Sequence, residues 1–196
     1  MKSLVLASAS PRRIQFLHDW GFQFQSIPAN LSETPDKNLT AEEQILQISR
    51  TKAEAIQQEM TRQNLKPVIL SADTEVVLDH ELLGKPANPR HASEILQRLS
   101  GRVHRVITGL WLIDMSTTNV LSHLETSLIE FRLLTEQEID DYVQSGEPMD
   151  KAGAYAIQGL GRSFIRNFSG SYENIVGLPK EACLKLLGQC GIHGSK

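Results

Sequence analysis

Short apolar runs alternate along this chain with segments of helical periodicity, and that alternation points to an α/β fold. Leu4-Val5-Leu6-Ala7 and Val68-Ile69-Leu70 read as buried strands. Between and after them, apolar residues recur at helical spacing: Ile14, Leu17 and Trp20, then Ile45, Ile48, Ala53 and Ile56, then Ala92, Ile95, Leu96 and Leu99. Thr40 with Glu43, and Thr135 with Glu138, have the spacing of capping boxes and mark two helix starts. Phe22 to Ile27 reads as a short strand. Val103–Ile113 and Val120–Phe131 read as long strands joined by a polar turn at Ser116–Asn119. A last helix starts at Pro179. No repeat or low-complexity linker interrupts the order, so residues 1–190 are expected to form one domain and 191–196 a flexible tail.

The formal net charge is -3, so nonspecific nucleic-acid binding by bulk charge is not expected. No apolar stretch approaches the roughly 18 residues of a membrane span, and no signal-peptide core precedes Pro11 and the arginines. The only cysteines are Cys183 and Cys190. On one helix they would stand about 10 Å apart in rise, too far for a disulfide. Reduced, packed thiols and a cytoplasmic location are therefore expected.

The first strand pattern runs into Ser8-Ala9-Ser10-Pro11-Arg12-Arg13. Ser10 suits an N-cap and Pro11 the first helical position, which puts both arginines in the first turn. That turn carries the positive end of the helix dipole and normally favours acids. A serine-rich turn, a helix N-terminus and two guanidiniums together describe a phosphate receptor. Asp73 follows an apolar strand, at the end where open α/β sheets place active-site groups. A carboxylate there can hold a metal ion or accept a proton from water. Lys52, Lys85 and Lys151 could join Arg12 and Arg13 around a polyphosphate, with Glu33 as a second metal ligand. No Walker A sequence, no GxGxxG after a strand and no HExxH is present.

Taken together, Ser8–Arg13, Ala72-Asp73-Thr74, Gly84-Lys85-Pro86, Lys151–Gly159 and Gly170-Ser171-Tyr172 through Gly177-Leu178-Pro179 resemble the Maf family in order and spacing. The resemblance spans nearly the whole chain. It implies an α/β fold with an elongated mixed sheet, flanking helices and two lobes around a cleft, similar to the inosine triphosphatase architecture. It implies hydrolysis of a nucleoside triphosphate to a monophosphate and pyrophosphate, with Mg²⁺ or Mn²⁺ as cofactor and an effect on septum formation. It makes Asp73 the proton acceptor, acting directly or as a metal ligand, and puts Glu33 at the metal site. Lys52, Lys85, Arg13 and Ser8 become the lining of the triphosphate site. A homodimer is implied by the resemblance alone.

Base preference in this family follows the positions of Arg12, Thr74 and Gln158 here, and these residues resemble the branch acting on dTTP and UTP. The branch acting on 7-methyl-GTP has Tyr, Gln and Glu at those places. A Gln amide offers a donor to O4 and an acceptor to N3–H of uracil or thymine, whereas a carboxylate only accepts. The alternatives are a non-hydrolysing nucleotide-binding regulator of division and a 7-methyl-GTP pyrophosphatase. Two departures from the family pattern stand out. Glu75 follows Asp73-Thr74 where an apolar residue is usual, and could be a third acid beside the metal or a surface residue. Gln47-Ile48-Ser49 replaces Arg-Leu-Ala ahead of Lys52.

Overall fold

The computed structural model of the chain describes residues 2–29, 31, 36 and 38–195. Strand β1 (Leu4–Leu6) leads into helix α1 (Pro11–Asp19), with Pro11 in the first turn. Next come β2 (Gln25–Ser26), α2 (Ala41–Arg62), β3 (Val68–Leu78) and β4 (Glu81–Leu82). Helix α3 (Pro89–Leu99) precedes the long strands β5 (Val103–Asp114) and β6 (Asn119–Phe131), and α4 (Glu136–Gln144) follows. Short 3-10 turns at Glu147–Asp150, Ala152–Ala154 and Leu160–Phe164 lead to β7 (Ile165–Ser169), α5 (Tyr172–Val176) and α6 (Lys180–Gln189). Both expected capping boxes form, at Thr40 and at Thr135.

The strands make one seven-stranded sheet in the order β2-β1-β3-β5-β6-β7, with β4 on β3. β1 runs parallel to β2 and β3, whereas β4 is antiparallel to β3 and β7 to β6. The sheet is therefore mixed, as expected. Strand β2 is shorter than the apolar pattern of Phe22–Ile27 suggests. Its partner β1 is itself only three residues long, and Phe22 and Phe24 turn into the core instead of extending the ladder.

Contacts divide the chain into two compact units. The first contains Met1–Asp73, Thr108–Glu125 and Gly177–Lys196, and the second Thr74–Ile107 and Thr126–Val176. In the first, strand alternation sends neighbouring residues to opposite faces. Leu4, Leu6, Leu70 and Leu112 pack with Leu17 of α1 and with Cys183, Leu186 and Leu187 of α6. Val5, Ala7, Ile69 and Ile113 pack with Ala53, Ile56 and Met60 of α2. Each such aliphatic side chain contributes about 1.5–3 kcal/mol relative to exposure. Both cysteines are buried free thiols, and burial pushes the Cys183 thiol up to about 12. Ile192 is buried, and the Ser195 N–H and hydroxyl both donate to Gly21 O at 2.8 Å.

The second unit buries Ala92, Ile95, Leu96 and Leu99 of α3, the face its periodicity marks. Phe131 stands edge-on to His104, Tyr155 and Phe164, and Phe164 to Tyr142. His104 Nε2 and the Tyr155 hydroxyl lie 2.7 Å apart. Burial holds the His104 imidazole near a pKa of about 3, so it is neutral in the folded protein.

Candidate active site

Helix α2 sets the first half of the site. Its inward stripe runs Ile45, Ser49, Ala53, Ile56, with Ser49 fully buried where the apolar pattern suggested Ile48. The Ser49 hydroxyl donates to Ile45 O and to Gly109 O on β5. Ser71 on β3 donates to Ser49 O at 2.6 Å. These bonds fix the register of helix on strand. Three residues further along α2 and two further along β3, Lys52 Nζ donates to Asp73 Oδ1 at 2.7 Å. The sequence marks Ser49 only as a departure from the family pattern and gives Ser71 no role. A serine at the apolar spacing of Ile45 and Ala53 was the available signal.

Asp73 lies inside β3, not at its end. The parallel pairing with β1 stops at Leu70, and β3 continues because β4 and β5 also pair with it. Asp73 thus follows the end of the parallel ladder while remaining in a strand. The Lys52 and Asp73 side chains are 15% and 7% exposed. Removing one partner of so buried a pair costs about 3–5 kcal/mol. Asp73 Oδ2 is also buried and meets no hydrogen-bond donor among the described residues. An oxygen in that state calls for a water, a proton or a cation.

The α1 entrance lies in the same unit. Ser10 precedes α1 without capping it through its hydroxyl, and no acid occupies the first turn. Instead Ser8 Oγ accepts from Ser10 N–H at 3.1 Å and from Arg13 Nη1 at 3.4 Å. A hydroxyl that accepts twice has its one proton left to donate. Arg13 Nε donates to Gly177 O at 2.8 Å, which anchors the guanidinium at its base. Arg12 beside it is half-buried.

The second unit carries the other expected residues. Thr74 is half-buried, whereas Lys85 and Gln158 are exposed. Gly153 N–H donates to Gly84 O at 2.7 Å, so the Gly84-Lys85-Pro86 and Lys151–Gly159 segments are brought together. Lys151 is engaged locally, by Glu147 O at 3.0 Å and Asp150 Oδ1 at 2.6 Å. Gln158 Nε2 donates to the Tyr172 hydroxyl at 3.0 Å, a partner the sequence did not reveal. Glu75 is half-buried.

Asp73 Oδ2 fits a divalent ion of the Mg²⁺ type, which takes one or two protein carboxylates and keeps waters and phosphate oxygens. Among the described residues no three His, Cys, Asp or Glu side chains cluster as a metal cage. Glu33, the other expected ligand, lies outside the described residues. No helix among them is long and apolar enough to cross a membrane.

Residues 3–190 match the family described as Maf-like protein. The dTTP/UTP pyrophosphatase of Bdellovibrio bacteriovorus is 48% identical over 189 residues, covering 95% of this chain and 98% of the relative. The protein of the same name from Escherichia coli O157:H7 is 42% identical over 188 residues, covering 95% and 92%. That from Caldicellulosiruptor bescii is 39% identical over 179 residues, covering 91% and 90%. With its motifs matched in order and nearly all of its length aligned, this chain belongs to the Maf family.

Proposed function

We propose that this chain hydrolyses dTTP and UTP to the monophosphate and pyrophosphate, in the cytoplasm. The observation that carries the reading is the buried Lys52–Asp73 pair, with Asp73 Oδ2 meeting no donor among the described residues. Lys52 compensates the carboxylate through Oδ1 and orients it. Oδ2 then accepts a proton as water attacks the α-phosphorus. The bond from that phosphorus to the oxygen bridging the α and β phosphates breaks, and pyrophosphate leaves. Arg13, held by Gly177 O and Ser8, brings its guanidinium charge to the phosphate oxygens from a position that is already ordered. The Ser8 hydroxyl proton adds a donor beside it.

Mg²⁺ or Mn²⁺, held by Asp73 with Glu33, would neutralise charge on the triphosphate. The roles of Lys85 at the phosphates, and of Arg12, Thr74 and Gln158 at the base, rest on the family resemblance, as does a homodimer. The relatives' shared name supports the choice of dTTP and UTP.

The test is pyrophosphate release from dTTP, UTP, CTP, GTP and 7-methyl-GTP, each with Mg²⁺ or Mn²⁺. Turnover of dTTP and UTP is expected, with kcat lowered about 10²–10⁴-fold in Asp73→Asn. An unchanged kcat in that variant removes the proton-acceptor role. Turnover of 7-methyl-GTP alone removes the base assignment. Nucleotide binding without pyrophosphate release favours a regulator.

A further inference from the structure

Gln158 is an exposed glutamine restrained from two sides. Behind it, the Glu147 carboxylate accepts from Leu160 N–H at 2.9 Å, from Gly161 N–H at 3.2 Å and from the Tyr142 hydroxyl at 2.9 Å. Gly159, the intervening residue, has φ 95°, and a Cβ there would meet Glu147 Oε2 at 2.6 Å. The carboxylate and the glycine therefore lock the backbone that leaves Gln158. Its far end is held by the Tyr172 hydroxyl, which accepts from Nε2 at 3.0 Å. Tyr172 has a rigid mount of its own. It opens α5, whose fully buried Asn174 donates to Val106 O at 3.1 Å and to Ser127 Oγ at 2.9 Å.

Long polar side chains on a surface ordinarily keep their rotamer freedom and lose it only on binding, at up to about 1.5–2 kcal/mol each. Here much of that freedom is already gone. We propose that Tyr172 is a positioning residue for base recognition. It holds one N–H of the Gln158 amide, so that the second N–H and Oε1 are presented side by side to a base carrying a keto oxygen next to a ring N–H. Uracil and thymine have that edge. The inference rests on the functional reading above, which gives Gln158 the base. Tyr172 does not touch the reacting phosphates and acts through Gln158.

The test is a cycle of Tyr172→Phe, Gln158→Ala and the double variant, assayed on dTTP and UTP. Phenylalanine keeps the ring and removes only the hydroxyl. The expected result is a KM about 5-fold higher in Tyr172→Phe with kcat changed less, the size of one hydrogen bond. In the Gln158→Ala background the same change is expected to leave KM unaltered. Three results overturn the proposal: an equal KM in wild type and Tyr172→Phe, a loss confined to kcat, or the same KM increase in both backgrounds. The last would mean that Tyr172 contacts the nucleotide itself. In each case normal wild-type turnover leaves the functional reading standing. A wild-type enzyme releasing no pyrophosphate from either nucleotide removes that reading and the inference together.

Discussion

Alanine at Gly109 tests whether the spacing of α2 on the sheet sets the Lys52–Asp73 geometry. Gly109 lies within β5 in backbone that alanine adopts freely, so any effect comes from space alone. The added Cβ would stand 2.9 Å from Ile45 Cγ2, 3.1 Å from Ser49 Oγ and 3.3 Å from Ile45 O. Ordinary contact begins near 3.4 Å, so the helix must retreat by roughly 0.5 Å. Ile45 has no exposed surface and a branched, stiff side chain, and its carbonyl belongs to the helix itself. The displacement therefore passes to α2 as a body. Overpacking of this kind costs about 1–3 kcal/mol. Lys52 stands about two turns along the same helix. A misplacement of 1 Å can cost about 10²-fold in rate, so half of that corresponds to about 10-fold. Urea unfolding and the kcat for dTTP, measured on the same preparation, check both numbers. Stability within about 0.5 kcal/mol of wild type together with unchanged kcat would refute the reasoning.

Two further substitutions probe the fold. His104 is buried neutral, with its pKa held far below the 6.5 of a free imidazole, so the unfolded chain binds a proton between about 3 and 6.5 that the folded chain does not. Stability should fall as pH falls across that window, by about 2 kcal/mol between pH 6.5 and 4.5 from this residue. His104→Gln should flatten that part of the urea-unfolding profile, and an unchanged slope would exclude His104 as its source. Gly188 lies in α6 with open space around it, the nearest atom to an added Cβ being His193 Cε1 at 3.8 Å. Gly188→Ala should raise stability by about 0.4–1 kcal/mol through the unfolded chain, visible as a higher melting temperature with unchanged turnover.

Features written in neighbouring residues were legible before the structure. The Thr40–Glu43 and Thr135–Glu138 boxes are local hydrogen bonds, and Pro11 fixes its own φ. The α/β class follows from periodicity, which needs no knowledge of partners. Contacts closed by packing were not legible. Lys52 and Asp73 each stand out in the sequence, but their ion pair depends on Ser49 and Ser71 holding α2 against β3. The sequence marks Gln158 as a base-facing amide but not its bond to Tyr172, because their side chains meet only once α5 is seated. Lys151 has the composition of a phosphate ligand, yet its neighbour Asp150 engages it first.

The chain leaves or re-enters the first unit after Asp73, Ile107, Glu125 and Val176. During synthesis, therefore, the segment that emerges first cannot finish its own core. Leu4, Leu6 and Leu17 wait for Leu178, Cys183, Leu186 and Leu187, which leave the ribosome last. The second unit, bounded by Thr74 and Val176, is complete before that happens. A nascent chain stopped short of α6 would expose the apolar face of β1 and α1 to chaperones and proteases. Lys52 and Asp73 belong to that same late-closing unit, so a chain that stops before Gly177 carries the ion pair in a unit whose core is still open.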